Sequence, residues 1–248
     1  MRASHSCLSV RPHRVRPLVA ASSSVYGDAP IYPTTEESIT PPVSPCGVTK
    51  LASEQLCPAY ARPGVSELSM AALRYFSIYG PRQRPDMAFH RFLDAAYAAG
   101  PVVVFGDGEK TRDFTHVDDA VRANLMAMRA PIFVEAIDVG GGRRVTVNEV
   151  LGVIGRYSGW RLKVERVKAQ AGDARHTGAD GTQAEALLGY RPEVTLQDGG
   201  PGRLGGAAAG CARPHGPAKA GPRGPDRSGR PPRRRRPPAG SRGCAARW

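Results

Sequence analysis

No run of 18 apolar residues occurs in the 248-residue chain, which excludes a transmembrane helix. The start, MRASHSCLSVRPHRVRPLVA, is basic but lacks an apolar stretch followed by a small-residue cleavage site, so it does not read as a secretory signal. Cysteines are few and scattered, at 7, 46, 57, 211 and 244, with no CxxC pair and no zinc spacing. An odd, dispersed set argues against a disulfide framework and for a reducing, cytoplasmic compartment. His90, His116 and His176 stand apart without metal-ligand spacing, so they read as surface or core histidines and no metal is expected. Neither GxGxxG nor GxxxxGK[ST] follows a strand. Gly140, Gly141 and Gly142 fit a strand-end turn, and Gly106 and Gly108 fit a tight turn, better than a phosphate cradle.

What is present is ordinary for a globular chain: 41% hydrophobic and 23% charged residues, enough for one large domain or two small ones. The net charge of +13 is an average over unlike parts. Residues 199–248 hold 12 Lys/Arg and one Asp, and residues 1–17 hold four Arg and no acid, which leaves 18–198 at −2. The basic pI therefore describes two ends, and nucleic-acid binding by the fold is not expected. The 199–248 segment is 41 parts in 50 Gly, Ala, Pro or Arg, has no apolar periodicity and is expected to be disordered. A basic arm, or translation out of an ancestral frame, are the alternatives for it.

Between these ends strands alternate with helices. PLVAA (17–21), 69–80, VVVF (102–105), 133–141 and 161–167 read as strands. Helices are expected at 47–62, 86–100 (Asp86 as N-cap, Gly100 as C′), 117–129, from a Thr146/Glu149 capping box, and at 182–190. Asp118 and Asp119 suit a helix N-terminus. Pro58 is expected to break or kink the first helix. The alternation implies an α/β fold with a largely parallel sheet.

Six segments in order carry a resemblance: ASSSVYG (21–27), SPCGVTK (44–50), RYFSIYGPRQRPDM (74–87), FGDGEKTRDFTHVDDAVRANL (105–125), DVGGGRRVTVNEVL (138–151) and GDARHTGAD with ALLGYRPEVTLQDG (172–199). Together they resemble the NAD-dependent epimerase/dehydratase family of extended short-chain dehydrogenases/reductases, with the UDP-glucose 4-epimerase-like group nearest. The likeness spans about 14–199, with the first 13 residues unmatched. It implies a doubly wound, Rossmann-like parallel sheet without its first strands, plus a small α/β substrate-binding region. The segments expected are an unmatched 1–17, a nucleotide-domain remnant 18–80, a substrate-binding region with returning sheet elements 81–198, and the tail. Relatives begin with a Gly-rich dinucleotide half that is not recognisable here, so the chain reads as N-terminally truncated. Strands 17–21 and 69–76 would then keep exposed apolar edges.

By the same resemblance Ser22 is the catalytic Ser/Thr that hydrogen-bonds the reacting sugar oxygen. Lys50 holds the nicotinamide ribose and stabilises the charged base. The base position, a Tyr in the YxxxK pattern, holds Cys46, four residues before Lys50 and so on the same helix face. A thiolate beside a cation is chemically reasonable, but cysteine is roughly 3–4 Å shorter than tyrosine and a base must reach its proton or use one water. Loss of most activity is expected, with a thiolate or water-relayed base as the alternative. Tyr75 and Phe76 fall where the family's strand ends beside the cofactor, or else are core aromatics. Ser77 falls at a sugar-nucleotide position. Arg112 and Arg175 fall at diphosphate positions, Arg112 having the alternative of a solvated turn residue.

The expectation is an NAD-dependent nucleotide-sugar epimerase acting at sugar C4 on a UDP-sugar, as a homodimer. Ser23 and Ser24 stand where 4,6-dehydratases place an acidic pair, which favours epimerase over dehydratase or decarboxylase. The rivals are a non-catalytic remnant that binds a sugar nucleotide or partner protein, and a basic-tailed nucleic-acid binder.

Overall fold

The computed structural model describes residues 17–61, 69–130, 134–159, 161–169 and 172–199. The N-terminal segment, apart from residue 17, and the basic tail beyond residue 199 lie outside the described residues.

The central sheet is parallel, in the order β1 (Leu18–Ser22), β2 (Met70–Tyr75), β6 (Val134–Val139). β2 is buried at every position but Tyr75, as a strand covered on both faces requires. It has a neighbour on each side, so of the two edges expected to be open, only that of β1 lacks a partner among the described residues.

The apolar run 69–80 is two strands in different sheets. At Phe76 the backbone amide still donates to Val139 in the central sheet, at 3.1 Å. From Ser77 the chain enters β3 (Ser77–Tyr79), which pairs parallel with β5 (Thr111–His116). β5 pairs antiparallel with β7 (Arg144–Thr146), and β4 (Pro101–Phe105) pairs parallel with β8 (Lys163–Val167). β5 and β7 were not legible from sequence. TRDFTH has no apolar alternation, yet five of its six residues are buried, because ion pairs and ring contacts satisfy them.

Helix α1 (Pro45–Tyr60) begins earlier than expected, because Ser44 caps the Gly47 amide at 3.1 Å and Pro45 takes the first position. Pro58 does not break it. The proline lies in the last turn, and Ala61 closes the helix on the Cys57 carbonyl at 3.0 Å. Helix α2 (Ala88–Tyr97) is preceded by Met87, which offers no side-chain cap, while Asp86 pairs with Arg84 at 3.0 Å instead. Its left-handed residue is Ala99 (φ 51°) rather than Gly100, whose amide returns to Ala95 at 2.9 Å. Helix α3 (Val117–Arg129) is capped by His116. Helix α4 (Val147–Ser158) carries the expected Thr146/Glu149 capping box. Helix α5 (Thr182–Leu188) ends two residues early at a left-handed Gly189.

The larger core joins α2, α4, β4 and β5 through Phe89, Phe92, Val102, Phe114 and Ile154, with Tyr79 stacked on Phe89 at 5.0 Å. A second core lies against one side of β2 and β6, where Ala123 and Ala127 of α3 meet Leu73 and Ile137. Among the described residues no helix is long and apolar enough to cross a membrane.

Candidate active site

In α/β sheets, ligands bind beyond the carboxyl ends of the strands. β1 ends at Ser22, whose hydroxyl accepts from the Ser24 amide at 3.2 Å and so starts a 3₁₀ turn, Ser23–Tyr26. The turn closes at Gly27 with φ 56°, where a Cβ would meet the Pro41 carbonyl at 2.3 Å. The first turn of α1 presses on the same 3₁₀ turn. A Cβ on Gly47 would lie 2.4 Å from the Ser24 carbonyl, so α1 can start there only because residue 47 has no side chain. Ser24 itself has a buried hydroxyl with no hydrogen-bond partner among the described residues.

This packing delivers Lys50 to the end of β1. Its ammonium donates to the Ala20 carbonyl at 2.5 Å, two residues before Ser22. Cys46 lies one turn earlier on α1 with an exposed, free thiol. Tyr75 is the register partner of Ser22 on β2. Its hydroxyl donates to Asn124 at 2.8 Å, and burial raises its pKa. Phe76 is buried in a cluster with Val25, Tyr26 and Ala29. Ser77 is half-buried at the start of β3, opposite Phe114.

The two arginines form a second group. Arg112 is not a solvated turn residue; it is 3% exposed. Its guanidinium donates to Asp173 at 2.5 Å and to the carbonyls of Ala174 (2.7 Å), Thr111 (2.8 Å) and Arg175 (3.2 Å). Lys110 reaches the other Asp173 oxygen at 2.6 Å. Arg112 thus fastens the 173–175 segment, while the side chain of Arg175 is exposed. The Arg175 amide donates to Asp28 at 2.9 Å, two residues beyond Tyr26, which ties this group to the Ser22 turn. His176 bonds Thr111 at 2.8 Å, and its pKa is lowered by burial and by Arg175, Arg144 and Arg112. Lys50 and Tyr75 are therefore placed at the end of β1 that carries Ser22, Cys46 lies one helical turn before Lys50, and Arg112 and Arg175 stand as a linked neighbour group.

Sequence reasoning missed a buried ionic network under the Ser22 turn. Arg74 of β2 donates from Nε to Glu54 at 2.9 Å and from Nη2 to the other Glu54 oxygen. Its Nη1 donates to the Tyr26 hydroxyl at 2.6 Å and the Glu36 carbonyl at 3.2 Å. Tyr26 lies 2.9 Å from both carboxylate oxygens of Asp138 on β6. The Asp138 amide donates to Glu36 Oε1 at 2.7 Å. Burial, then the charge of Glu36, pushes Asp138 up to about 8. Burial also raises Glu36, and it raises Tyr26 beyond the ordinary phenol range. Burial opposes the charge of Arg74, but its bonds to Glu54 outweigh that and the net shift is upward. The available signal was an arginine inside the apolar strand MAALRY, since a buried charge demands partners. A further buried acid, Asp113, accepts from the amides of Gly141 (2.6 Å) and Ala179 (3.2 Å), while burial pushes it up to about 6. Among the described residues no cluster of three or more His, Cys, Asp or Glu side chains could hold a metal ion.

A three-stranded parallel sheet with α1 packed on it in one cluster and α3 in another is a Rossmann-like α/β arrangement. The profile of the NAD dependent epimerase/dehydratase family matches residues 4–140, beginning inside the segment that the motifs left unmatched. The chain belongs to that family. It is 38% identical over 191 residues to an uncharacterized UDP-glucose epimerase, YtcB, of Bacillus subtilis, covering 76% of this chain and 60% of that one. It is 35% identical over 184 residues to the UDP-glucuronate 4-epimerase of Thermodesulfobacterium geofontis, covering 73% and 56% respectively. Among solved structures it resembles MoeE5 in complex with UDP-glucuronic acid and NAD, with a TM-score of 0.76 and 39% identity over 83% of this chain and 68% of that one. The chain thus spans 60% or less of these two curated relatives.

Proposed function

We propose that this chain carries the sugar-facing and proton-handling part of an NAD-dependent nucleotide-sugar 4-epimerase, with Cys46 in the place of the base. The observation that carries the reading is the return of Lys50 to the end of β1 beside Ser22, with Cys46 one turn away on the same helix. Its support from outside the chain is that two relatives are named as UDP-sugar epimerases.

The residues present fit the nicotinamide end of NAD. Lys50 offers a cation at a strand carboxyl end, with Tyr75 alongside. The described residues include no Gly-rich strand–turn–helix for the adenosine end. NAD, when bound, supplies the hydride acceptor and donor. Ser22 keeps its hydroxyl proton while accepting from the Ser24 amide, so it can donate to the reacting sugar oxygen. Lys50 holds ribose hydroxyls and favours a negative charge one helical turn away. Cys46, as the thiolate, takes the sugar hydroxyl proton through one water and becomes the thiol, because its side chain is too short for direct contact. Arg175, set by the Arg112–Asp173 pair, offers its exposed guanidinium to the diphosphate. Ser23 and Ser24 supply no carboxylate for water elimination, so epimerisation is favoured over dehydration.

Incubation of UDP-glucose with NAD and either the chain or its Cys46→Tyr variant tests this. The variant should form the C4 epimer about 100-fold faster or more, in line with a restored general base. Equal rates for the two would overturn the assignment of position 46.

A further inference from the structure

Four elements meet beneath the Ser22 turn: the 3₁₀ turn (Tyr26), β2 (Arg74), β6 (Asp138) and α1 (Glu54), with Glu36 reaching in from the loop after the turn. The charges do not balance. Three carboxylates, Glu36, Glu54 and Asp138, share one guanidinium. All three nitrogens of that guanidinium are committed elsewhere: Nε and Nη2 to Glu54, Nη1 to Tyr26 and the Glu36 carbonyl. Among the described residues the Asp138 side chain has one polar partner, the phenol of Tyr26. Asp138 is 0% exposed. A buried ionised carboxylate needs several donors or a cation of its own, and a neutral acid does not.

The neutral acid fits the geometry. The Tyr26 oxygen is 2.9 Å from each Asp138 oxygen, so the acid can donate through one oxygen and accept through the other. The phenol oxygen then accepts from Arg74 and from Asp138 and gives its own hydrogen to Asp138, so every hydrogen-bonding position is filled.

We propose that Tyr26, Arg74 and Asp138 are positioning residues that seat the turn bearing Ser22 on the ends of β2 and β6, and that Asp138 does so as the protonated acid. Its catalytic meaning rests on the reading of Ser22 as sugar-facing; the proton and the seating do not. The groups facing Asp138 are Tyr26, Arg74, Glu36 and Glu54, with Asp180 behind Glu36. Loss of the Asp138 proton leaves three carboxylates around one cation, two of them uncompensated because Arg74 is paired with Glu54, and the link through Tyr26 transmits that change to the turn.

The test is a pH titration of backbone amide resonances in the isotope-labelled full chain, without NAD or sugar. The amides of Ser24 and Tyr26 in the turn and of Val139 on β6 should move together, in one transition with a midpoint near 8. The transition should vanish in Asp138→Asn, which keeps the shape and neutrality of the acid. In Tyr26→Phe the Val139 amide should still titrate while the turn amides stay flat, so this variant decides the matter if Asp138→Asn does not fold. Turn amides that are flat from pH 6 to 10 in the wild type would overturn the proposal. So would an unchanged transition in Asp138→Asn, or turn amides that still titrate in Tyr26→Phe. Absence of epimerase activity would count against the functional reading alone and leave this titration as it stands.

Discussion

The ammonium of Lys50 donates to the carbonyl of Ala20, and this single bond ties helix α1 to β1 two residues before Ser22. The Lys50 side chain is only half-buried. Its removal should therefore perturb the site more than the fold. Lys50→Met should change the unfolding free energy by less than about 1 kcal/mol in urea titrations. A larger loss would mean that the lysine is chiefly structural.

Arg74 is the only cation bonded to Glu54 among the described residues, and both side chains are under 10% exposed. Arg74→Met strands a buried carboxylate and should cost about 3–5 kcal/mol. The double variant Arg74→Met, Glu54→Leu should recover part of that, because the stranded Glu54 carboxylate is removed while Glu36 and the Tyr26 hydroxyl still lack Arg74. Equilibrium urea denaturation of the wild type, the two single variants Arg74→Met and Glu54→Leu, and the double variant measures the coupling.

Asp113 gives a pH dependence of definite sign. Its folded pKa, about 6, lies above the ordinary aspartate value of 3.8, so the folded state holds the proton more tightly. The stability it contributes is complete below about pH 4 and is lost as pH rises through 6, in total about 3 kcal/mol. Asp113→Asn should flatten this part of the stability profile between pH 4 and 7. Thermal melts across that range would show it, and an Asn variant with an unchanged slope would refute the assignment.

Gly141 has no room for a side chain: a Cβ would lie 2.0 Å from the Phe114 carbonyl and 3.2 Å from Asp113. Gly141→Ala should cost about 1–3 kcal/mol by forcing the strand-end turn away from β5. Gly159→Ala is the control, since a Cβ there meets nothing within 4 Å, although its φ of 69° still carries backbone strain.

The periodic elements were legible because their burial is one-sided or complete. The capping box at Thr146 and Glu149, the helix 117–129 and the buried strand VVVF all follow from side-chain spacing. The helix position of Lys50 was likewise legible, whereas Ser22 was read in the turn after 17–21 and is the last residue of β1. What failed was burial by polar means. TRDFTH looks like a loop because its Arg, Asp and His are satisfied by partners far along the chain, such as Asp173 at the far side of Arg112. The Arg74–Glu54 and Tyr26–Asp138 contacts span 20 and 112 residues, and no local pattern encodes them. The division of 69–80 at Phe76 was hidden for a related reason, since both halves are apolar and only their partners differ.

The most direct test of the functional account is calorimetric titration of NAD into the full chain and into Lys50→Met. The account expects NAD to bind the wild-type chain, and affinity to fall about tenfold or more when the lysine is removed, roughly the 1.5–3 kcal/mol of a hydrogen bond to a charged group. No binding to the wild type, or equal binding to both, would contradict the assignment of Lys50 as a cofactor residue.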